Sequence, residues 1–88
     1  MDIRKCASAG TMESSDVYVE IEPGQGIEID LESVVACQFG DAIRETVQQV
    51  LAEQGVENAA LRIVDRGALE CVIRARVETA VLRGREEA

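Results

Sequence analysis

Two short segments of strictly alternating apolar and polar residues dominate the first half of the chain. In Val17–Glu22 single polar residues separate the apolar ones, and Ile27–Glu32 repeats the same two-residue period. This period is typical of a β-strand with one buried face. Between the two segments lies Pro23–Gly26, whose residue types favour a tight reversal of the chain. We therefore predict that the two strands form a β-hairpin.

An amphipathic helix is predicted next, because apolar residues now recur every three or four positions. Ser33 is its predicted N-cap, and Gly55 is predicted to end it at the C′ position. The apolar stripe of this helix consists of Val35, Phe39, Ile43, Val47, Val50 and Leu51.

A third strand and a second helix complete the pattern. The apolar residues Leu61, Ile63 and Val64 predict the third strand, which ends at Asp65–Gly67. The second helix is predicted from about Ala68 to Arg83, with Gly84 as the residue that stops it. The predicted fold class is therefore α+β, with the element order ββαβα.

Packing both helices over one face of a three-stranded sheet is the simplest arrangement that buries all the apolar stripes together. We predict a single α+β domain over residues 17–88. The strand order stays open, since the third strand could flank either strand of the hairpin. The predicted core consists of Val17, Val19, Ile21, Ile29, Leu31, Phe39, Ile43, Val47, Leu51, Leu61, Ile63, Leu69, Val72, Ile73 and Val77.

The first sixteen residues show neither period. Small and polar side chains dominate them, so residues 1–16 are predicted to form a flexible, exposed leader. Arg4 and Lys5 are not followed by the apolar stretch of a secretory signal, and no apolar run in the chain is long enough to cross a bilayer. We therefore predict a cytoplasmic protein with no membrane partner.

The composition excludes several classes of function. The chain has 88 residues, with 17 acidic and 9 basic side chains and a net charge of −8. A domain of this size forms one small core rather than a deep substrate pocket, which argues against a self-sufficient enzyme. The acidic balance argues against nucleic acid as a partner, because Lys and Arg supply most of the affinity for phosphate backbones. No histidine is present to act as a general base or metal ligand.

Three cysteines, Cys6, Cys37 and Cys71, stand at wide spacing without a Cys-x-x-Cys pair. In a chain without histidine this spacing does not build a zinc site, so no metal is expected. We interpret the cysteines as buried or incidental thiols, and we predict that Cys71 packs at the edge of the core.

Charge is divided unevenly along the chain. Residues 13–57 contain eleven acids and one arginine, whereas residues 58–85 contain six arginines and three acids. In one interpretation, Arg74, Arg76 and Arg83 complement the dipole at the C-terminal end of the last helix. In the other, the acidic hairpin and the basic helix are docking faces for larger subunits.

Side chains suited to catalysis are sparse. The acids of the two alternating segments are predicted on outward strand faces, where solvated carboxylates are expected. The glycines of Pro23–Gly26 lack the glycine-rich continuation into a helix that a phosphate-binding loop requires. What remains is the leader, where the hydroxyls of Ser14 and Ser15 lie on an exposed stretch just before the first strand.

The stretch around Ser14 and Ser15 belongs to a set of motifs that together identify a family. Gly10–Asp16 reads Gly-Thr-Met-Glu-Ser-Ser-Asp, and Asp65–Arg76 contains the block Gly-Ala-Leu-Glu-Cys-Val-Ile-Arg-Ala-Arg. Together with Val17–Ile21, Phe39–Ile43 and Gly55–Ala59, these motifs resemble the acyl carrier protein of citrate lyase, its γ subunit. The resemblance covers nearly the whole chain.

The resemblance implies that Ser14, the first serine of the tract, carries phosphoribosyl-dephospho-coenzyme A through a phosphodiester bond, attached by a prosthetic-group transferase. The thiol of this group would hold an acetyl group, exchanged for a citryl group with release of acetate. Cleavage of the citryl thioester to oxaloacetate would restore the acetyl thioester. These steps belong to an acyl transferase α subunit and a lyase β subunit, so this chain would be a non-catalytic carrier.

The choice of Ser14 over Ser15 depends on the resemblance, because the two hydroxyls share one short tract. Strand parity adds a weak argument, since Ser15 shares parity with Val17 and would point toward the core. The acids Glu13 and Asp16 beside the serines indicate either a solvated loop or a match to a basic entrance on a partner.

Two alternatives to the citrate lyase carrier are open. The carrier subunit of malonate decarboxylase resembles this chain in size and prosthetic group, although the double serine favours citrate lyase. The other alternative is a small interaction module without covalent modification. The mass of the native protein separates a modified carrier from an unmodified module.

Overall fold

A four-stranded sheet with two helices packed against it forms the framework of the protein. The computed structural model describes residues 2–34 and 36–86. Val35, predicted to begin the first helical stripe, and the side chain of Cys37 lie outside the described part of the chain. The elements are β1 Ala7–Gly10, β2 Val17–Glu22, β3 Ile27–Ser33, α1 Ala36–Glu53, β4 Ala59–Asp65 and α2 Glu70–Arg85.

The strand order is β1-β2-β4-β3, so the predicted hairpin of β2 and β3 is wrong. Strand β4 lies between them, antiparallel to β2 and parallel to β3. The segment Pro23–Gly26 passes over the start of β4 instead of making a tight turn. The N–H of Ala59 donates to the carbonyl oxygen of Gly26 at 2.9 Å, and a Cβ on Gly24 would lie 3.0 Å from the backbone nitrogen of Ala60.

The fourth strand, β1, lies within the predicted leader and pairs antiparallel with β2, which places Ala9 opposite Val19. The preceding residues also contact the domain. Ile3 is buried, and the carboxylate of Asp2 accepts hydrogen bonds from the backbone N–H groups of Glu57 and Asn58 at 2.9 and 3.2 Å. Residues 2–10 of the predicted leader are therefore attached to the domain and contain a strand, although Arg4, Lys5 and Ser8 within them are exposed. Small side chains in β1 hide its alternation from the sequence.

Gly84 does not stop α2, which continues to Arg85. Its missing side chain serves the packing of the N-terminal segment instead. The backbone N–H groups of Arg4 and Lys5 donate to the carbonyl oxygen of Gly84, at 2.8 and 3.1 Å. A Cβ at this position would lie 3.0 Å from Cγ2 of Ile3, so a glycine allows the close approach.

Gly55 closes α1 as predicted. Its φ of 70° is the left-handed conformation of a C′ residue. The N–H of Gly55 donates to the carbonyl oxygen of Ala52, and the N–H of Val56 donates to that of Leu51. This pair of bonds is the Schellman motif. Ser33, in contrast, is the last residue of β3 and not the predicted N-cap.

The apolar sides of both helices and of the sheet meet in one buried cluster. Ten predicted core residues are confirmed in it, whereas Ile29, Leu31 and Val72 are only partly buried. Phe39 and Leu69 are wrong, because they are 53% and 71% exposed. They lie at the starts of the two helices. The confirmed residues are Val17, Val19, Ile21, Ile43, Val47, Leu51, Leu61, Ile63, Ile73 and Val77.

Neither helix, over the residues described, combines the length and apolar character that crossing a bilayer requires.

Candidate functional site

Ser14 lies in the loop of residues 11–16 that joins β1 to β2, at one end of the sheet. The N–H of Asp16 donates to the carbonyl oxygen of Glu13 at 3.2 Å and closes a four-residue turn. Ser14 and Ser15 are the two central residues, and Ser15 has a φ of 65°. A positive φ at the second central position alone is the pattern of a type II turn. Ser14 therefore occupies the first corner of the turn.

Both serine side chains are exposed. The parity argument for Ser15 is wrong, because β2 begins only at Val17 and Ser15 has the left-handed backbone conformation of a turn. What separates the two serines is the backbone. The N–H of Ser15 donates to the carbonyl oxygen of Arg66 at 2.8 Å, which holds that side of the turn against the loop after β4.

A second backbone bond completes this attachment, since the N–H of Arg66 donates to the carbonyl oxygen of Asp16 at 2.9 Å. The two bonds continue the antiparallel pairing of β2 and β4 by one step, beyond the pair of Val17 and Asp65. The position of the turn is therefore set by the central strands of the sheet.

The carboxylate of Asp16 connects the loop to α2. It accepts hydrogen bonds from the hydroxyl of Thr11 at 2.7 Å and from Nε and Nη2 of Arg76 at 3.1 Å each. It also accepts one from the backbone N–H of Val17 at 2.7 Å. The bond from Thr11, followed by that from Arg76, lowers the pKa of Asp16 to about 2, because these donors stabilise the charged carboxylate. Asp16 therefore stabilises the loop through these hydrogen bonds and is not a free surface acid.

Gly10 allows the two ends of the loop to approach each other. It has a φ of 90°, and a Cβ built on it would lie 1.9 Å from the carbonyl oxygen of Val17. Cδ of Arg76 would lie 3.3 Å from the same Cβ. Any side chain here would displace the loop or the arginine that holds it.

The arginines of α2 make contacts within the chain. Arg74 pairs with Glu53 of α1 at 2.6 Å, Arg76 pairs with Asp16, and Arg83 donates to the carbonyl oxygen of Ser8 at 2.9 Å. Arg74 and Arg76 lie in the first half of α2, so the dipole interpretation is wrong for these two. Their ion pairs tie α2 to α1 and to the loop, a role that neither sequence interpretation included.

The described residues offer no alternative centre for chemistry. They contain no group of three Cys, Asp or Glu side chains placed to hold a metal ion. Cys6 and Cys71 are free thiols with exposed side chains, so the prediction that Cys71 packs at the core edge is wrong. Cys71 lies in the first turn of α2, where its side chain is exposed.

Covalent attachment of a phosphate-linked group requires a hydroxyl that a modifying enzyme can reach. The side chain of Ser14 is exposed at a turn corner, and the turn is held on both sides by Arg66 and Arg76. This arrangement fits an attachment site, because the hydroxyl is accessible while its backbone position is defined.

Known proteins are similar to this chain over nearly its whole length. The family model described as the malonate decarboxylase delta subunit (MdcD) matches residues 4–84. The chain is 54% identical over 89 residues to the citrate lyase acyl carrier protein of Escherichia fergusonii, covering 99% of this chain and 92% of that protein. It is 48% identical over 87 residues to the protein of the same name from Haemophilus influenzae, with the same coverage.

A solved structure extends the comparison. The chain superposes on a chain in the crystal structure of a Pseudomonas malonate decarboxylase hetero-tetramer in complex with malonate, with a TM-score of 0.76 and 26% identity. The match covers 88% of this chain and 80% of that one. With identities near one half over almost the entire length, the resemblance seen in the sequence is confirmed, and the chain belongs to the citrate lyase acyl carrier protein family.

Proposed function

We propose that this chain is the acyl carrier subunit of a citrate lyase complex, with phosphoribosyl-dephospho-coenzyme A joined to Ser14 by a phosphodiester bond. The observation that supports this most directly is the position of Ser14. Its hydroxyl is exposed at the corner of a turn that Arg66 and Asp16 hold by backbone hydrogen bonds. Ser15, the competing serine, contributes its own N–H to that attachment.

The carrier role needs little chemistry from the chain itself. An acetyl group on the thiol of the arm is exchanged for a citryl group with release of acetate. Cleavage of the citryl thioester then yields oxaloacetate and returns the acetyl thioester. An acyl transferase α subunit and a lyase β subunit perform these steps, so the isolated chain is expected to have no lyase activity. Covalent tethering raises the local concentration of the acyl group at both active sites.

The proposal also needs a prosthetic-group transferase that reads the loop. Such an enzyme would meet a defined surface, because Asp16 holds the loop by hydrogen bonds with Thr11 and Arg76. Glu13 remains exposed beside Ser14 and offers a negative charge for a basic entrance on that enzyme or on a catalytic subunit.

The test is to coexpress the Ser14→Ala and Ser15→Ala variants with the modifying enzymes. We expect Ser14→Ala to keep the mass of the unmodified chain and to yield a complex that does not cleave citrate. Ser15→Ala is the matched control and should gain the mass of the prosthetic group. Modification that survives in Ser14→Ala would overturn the assignment.

The malonate decarboxylase carrier is the second candidate, because the matching family model is described by that enzyme and the Pseudomonas structure shares the fold. The higher identity to citrate lyase carriers supports the first proposal. Reconstitution of the modified chain with either set of partner subunits separates the two. Citrate cleavage is expected, and activity only in malonate decarboxylation would favour the second candidate.

A further inference from the structure

An apolar groove lies between the N-terminal parts of α1 and α2. Ile43 and Ile73, both buried, form its base. Phe39, Ala42 and Ala68 also line it, and Phe39 is 53% exposed. The groove is open to solvent, so a flexible chain could enter it without unfolding either helix.

The buried polar groups that line the groove already have partners within the chain. The carboxylate of Asp65 accepts hydrogen bonds from the hydroxyl of Ser33 at 2.7 Å and from the N–H of Ala68 at 3.0 Å. The hydroxyl of Thr46 donates to the carbonyl oxygen of Ala42 at 3.0 Å. An occupant would therefore meet mainly apolar surface, with the exposed acid Glu70 beside it.

The groove begins next to the Ser14 loop. Gly67 lines it, and the preceding residue, Arg66, accepts the hydrogen bond from the N–H of Ser15 at 2.8 Å. Ser14 is therefore close to the rim of the groove. One peptide unit joins it to Ser15, and one peptide unit joins Arg66 to Gly67. A long arm on Ser14 would reach the groove easily, and its tether would keep its local concentration high.

We propose that the groove holds the prosthetic arm of the same chain while the arm carries an uncharged end, and that it rejects the arm when a citryl group is attached. This inference rests on the proposed attachment at Ser14. The free thiol and the acetyl thioester are neutral, so their burial against Phe39 and Ile73 is favourable. A citryl thioester keeps two free carboxylates, which would lose water beside Glu70 and the acidic Asp65 without gaining a cationic partner in the groove.

The groove would then be a binding site for the arm, and its occupancy would depend on the acyl group that the arm carries. Between cycles the acetyl thioester is held against the carrier and is shielded from water. After exchange the charged citryl end remains in solvent, ready for the lyase site. The alternative occupant of the same apolar surface is a partner subunit, and the experiment distinguishes the two because it uses the isolated modified carrier.

The first measurement compares methyl NMR signals of the full chain in its unmodified, acetyl and citryl forms, each verified by the mass of the Ser14 peptide. We expect the methyl signals of Ala42, Ala68 and Ile43 to shift in the acetyl form and to return toward their unmodified positions in the citryl form. Identical spectra in all forms, or equal shifts with both acyl groups, would overturn the inference. A Ser14 peptide without the added mass would refute the proposed function itself.

The second measurement uses Ala42→Gln, which fills the groove with a larger polar side chain on an exposed helix position. Ala52→Gln is the matched control, since Ala52 is exposed on the same helix outside the groove. Hydroxylamine should cleave the acetyl thioester of the arm, giving acetohydroxamate and the free thiol, severalfold faster in Ala42→Gln than in Ala52→Gln or the parent. Equal rates in all three proteins would overturn the inference. If the rates are equal and Ala42→Gln also fails to bind the partner subunits, the groove is a docking site for a partner.

Discussion

The guanidinium group of Arg76 donates two hydrogen bonds, each of 3.1 Å, to the carboxylate of Asp16, sixty positions earlier in the chain. The pair connects the loop that carries Ser14 to the second helix. Because Asp16 also binds the hydroxyl of Thr11 and the N–H of Val17, a single carboxylate holds both ends of that loop. The presentation of Ser14 therefore depends on the packing of α2.

Replacing Arg76 with Ala should weaken this connection. The pair is partly exposed, so we expect the free energy of unfolding to fall by only about 1 kcal/mol. Urea denaturation measures this change. We expect the rate of modification at Ser14 to show a larger relative decrease than the stability does, because the loop loses its hydrogen bonds to α2.

Arg74→Ala is the matched control for that variant. It removes the ion pair with Glu53, which links the two helices away from the loop. We expect a similarly small loss of stability and an unchanged rate of modification. Equal modification rates in both variants would show that the contact of Arg76 with Asp16 does not position the loop.

Acid should release the same connection. The folded protein holds the pKa of Asp16 at about 2, below the ordinary value of 3.8, so the unfolded chain binds this proton more readily. The resulting stabilisation is present above about pH 4 and is lost as the pH falls toward 2. Denaturation at a series of pH values should show a decline in this window that is smaller in Asp16→Asn. Parallel curves for the two proteins would contradict this assignment.

Gly10→Ala should destabilise the protein more than Gly26→Ala. Both glycines have a positive φ, of 90° and 70°, so alanine is strained at either position. At Gly26 no atom lies within 4 Å of the added Cβ, and the expected cost is the backbone term alone, about 1–2 kcal/mol. At Gly10 the Cβ would lie 1.9 Å from the carbonyl oxygen of Val17, so the loop must also move. Thermal unfolding of the two variants should rank them in this order, and equal losses would contradict the close approach.

Asp65→Ala should lower the free energy of unfolding by about 2–3 kcal/mol, because a buried carboxylate that accepts two hydrogen bonds is removed. Ser33→Ala removes one of those bonds and should cost about 1 kcal/mol. In the double variant the losses should be less than additive, since the two side chains share one hydrogen bond. Additive losses in urea denaturation would show that this bond contributes nothing.

Several elements could be predicted from local patterns. The two-residue period predicted β2 and β3, and the apolar residues Leu61, Ile63 and Val64 predicted β4. The helical period predicted α1 and α2. The end of α1 at Gly55 could be predicted, because the left-handed C′ position favours glycine strongly. The proposal of Ser14 as the attachment site depends on the resemblance, since an exposed serine in a turn carries no chemical signal of its own.

The strand order depended on long-range pairing. The alternation of β2 and β3 is the same whether they pair with each other or with a strand between them, so the sequence favoured the shorter connection. The tertiary structure inserts β4, whose two edges can pair antiparallel with β2 and parallel with β3. Pairing on both sides buries β4 as a central strand, which a simple hairpin with an added edge strand would not do.

What the sequence by itself determined is the set of amphipathic elements, because each needs only a few neighbouring residues to define its buried face. What only the tertiary structure decided is the surroundings of Ser14. Strand β1 is short and made of small residues, and it becomes a strand because β2 offers it an edge. Asp16 and Arg76 look like two ordinary surface charges until β1, β2 and α2 are assembled, because contacts between distant positions leave no period in the sequence.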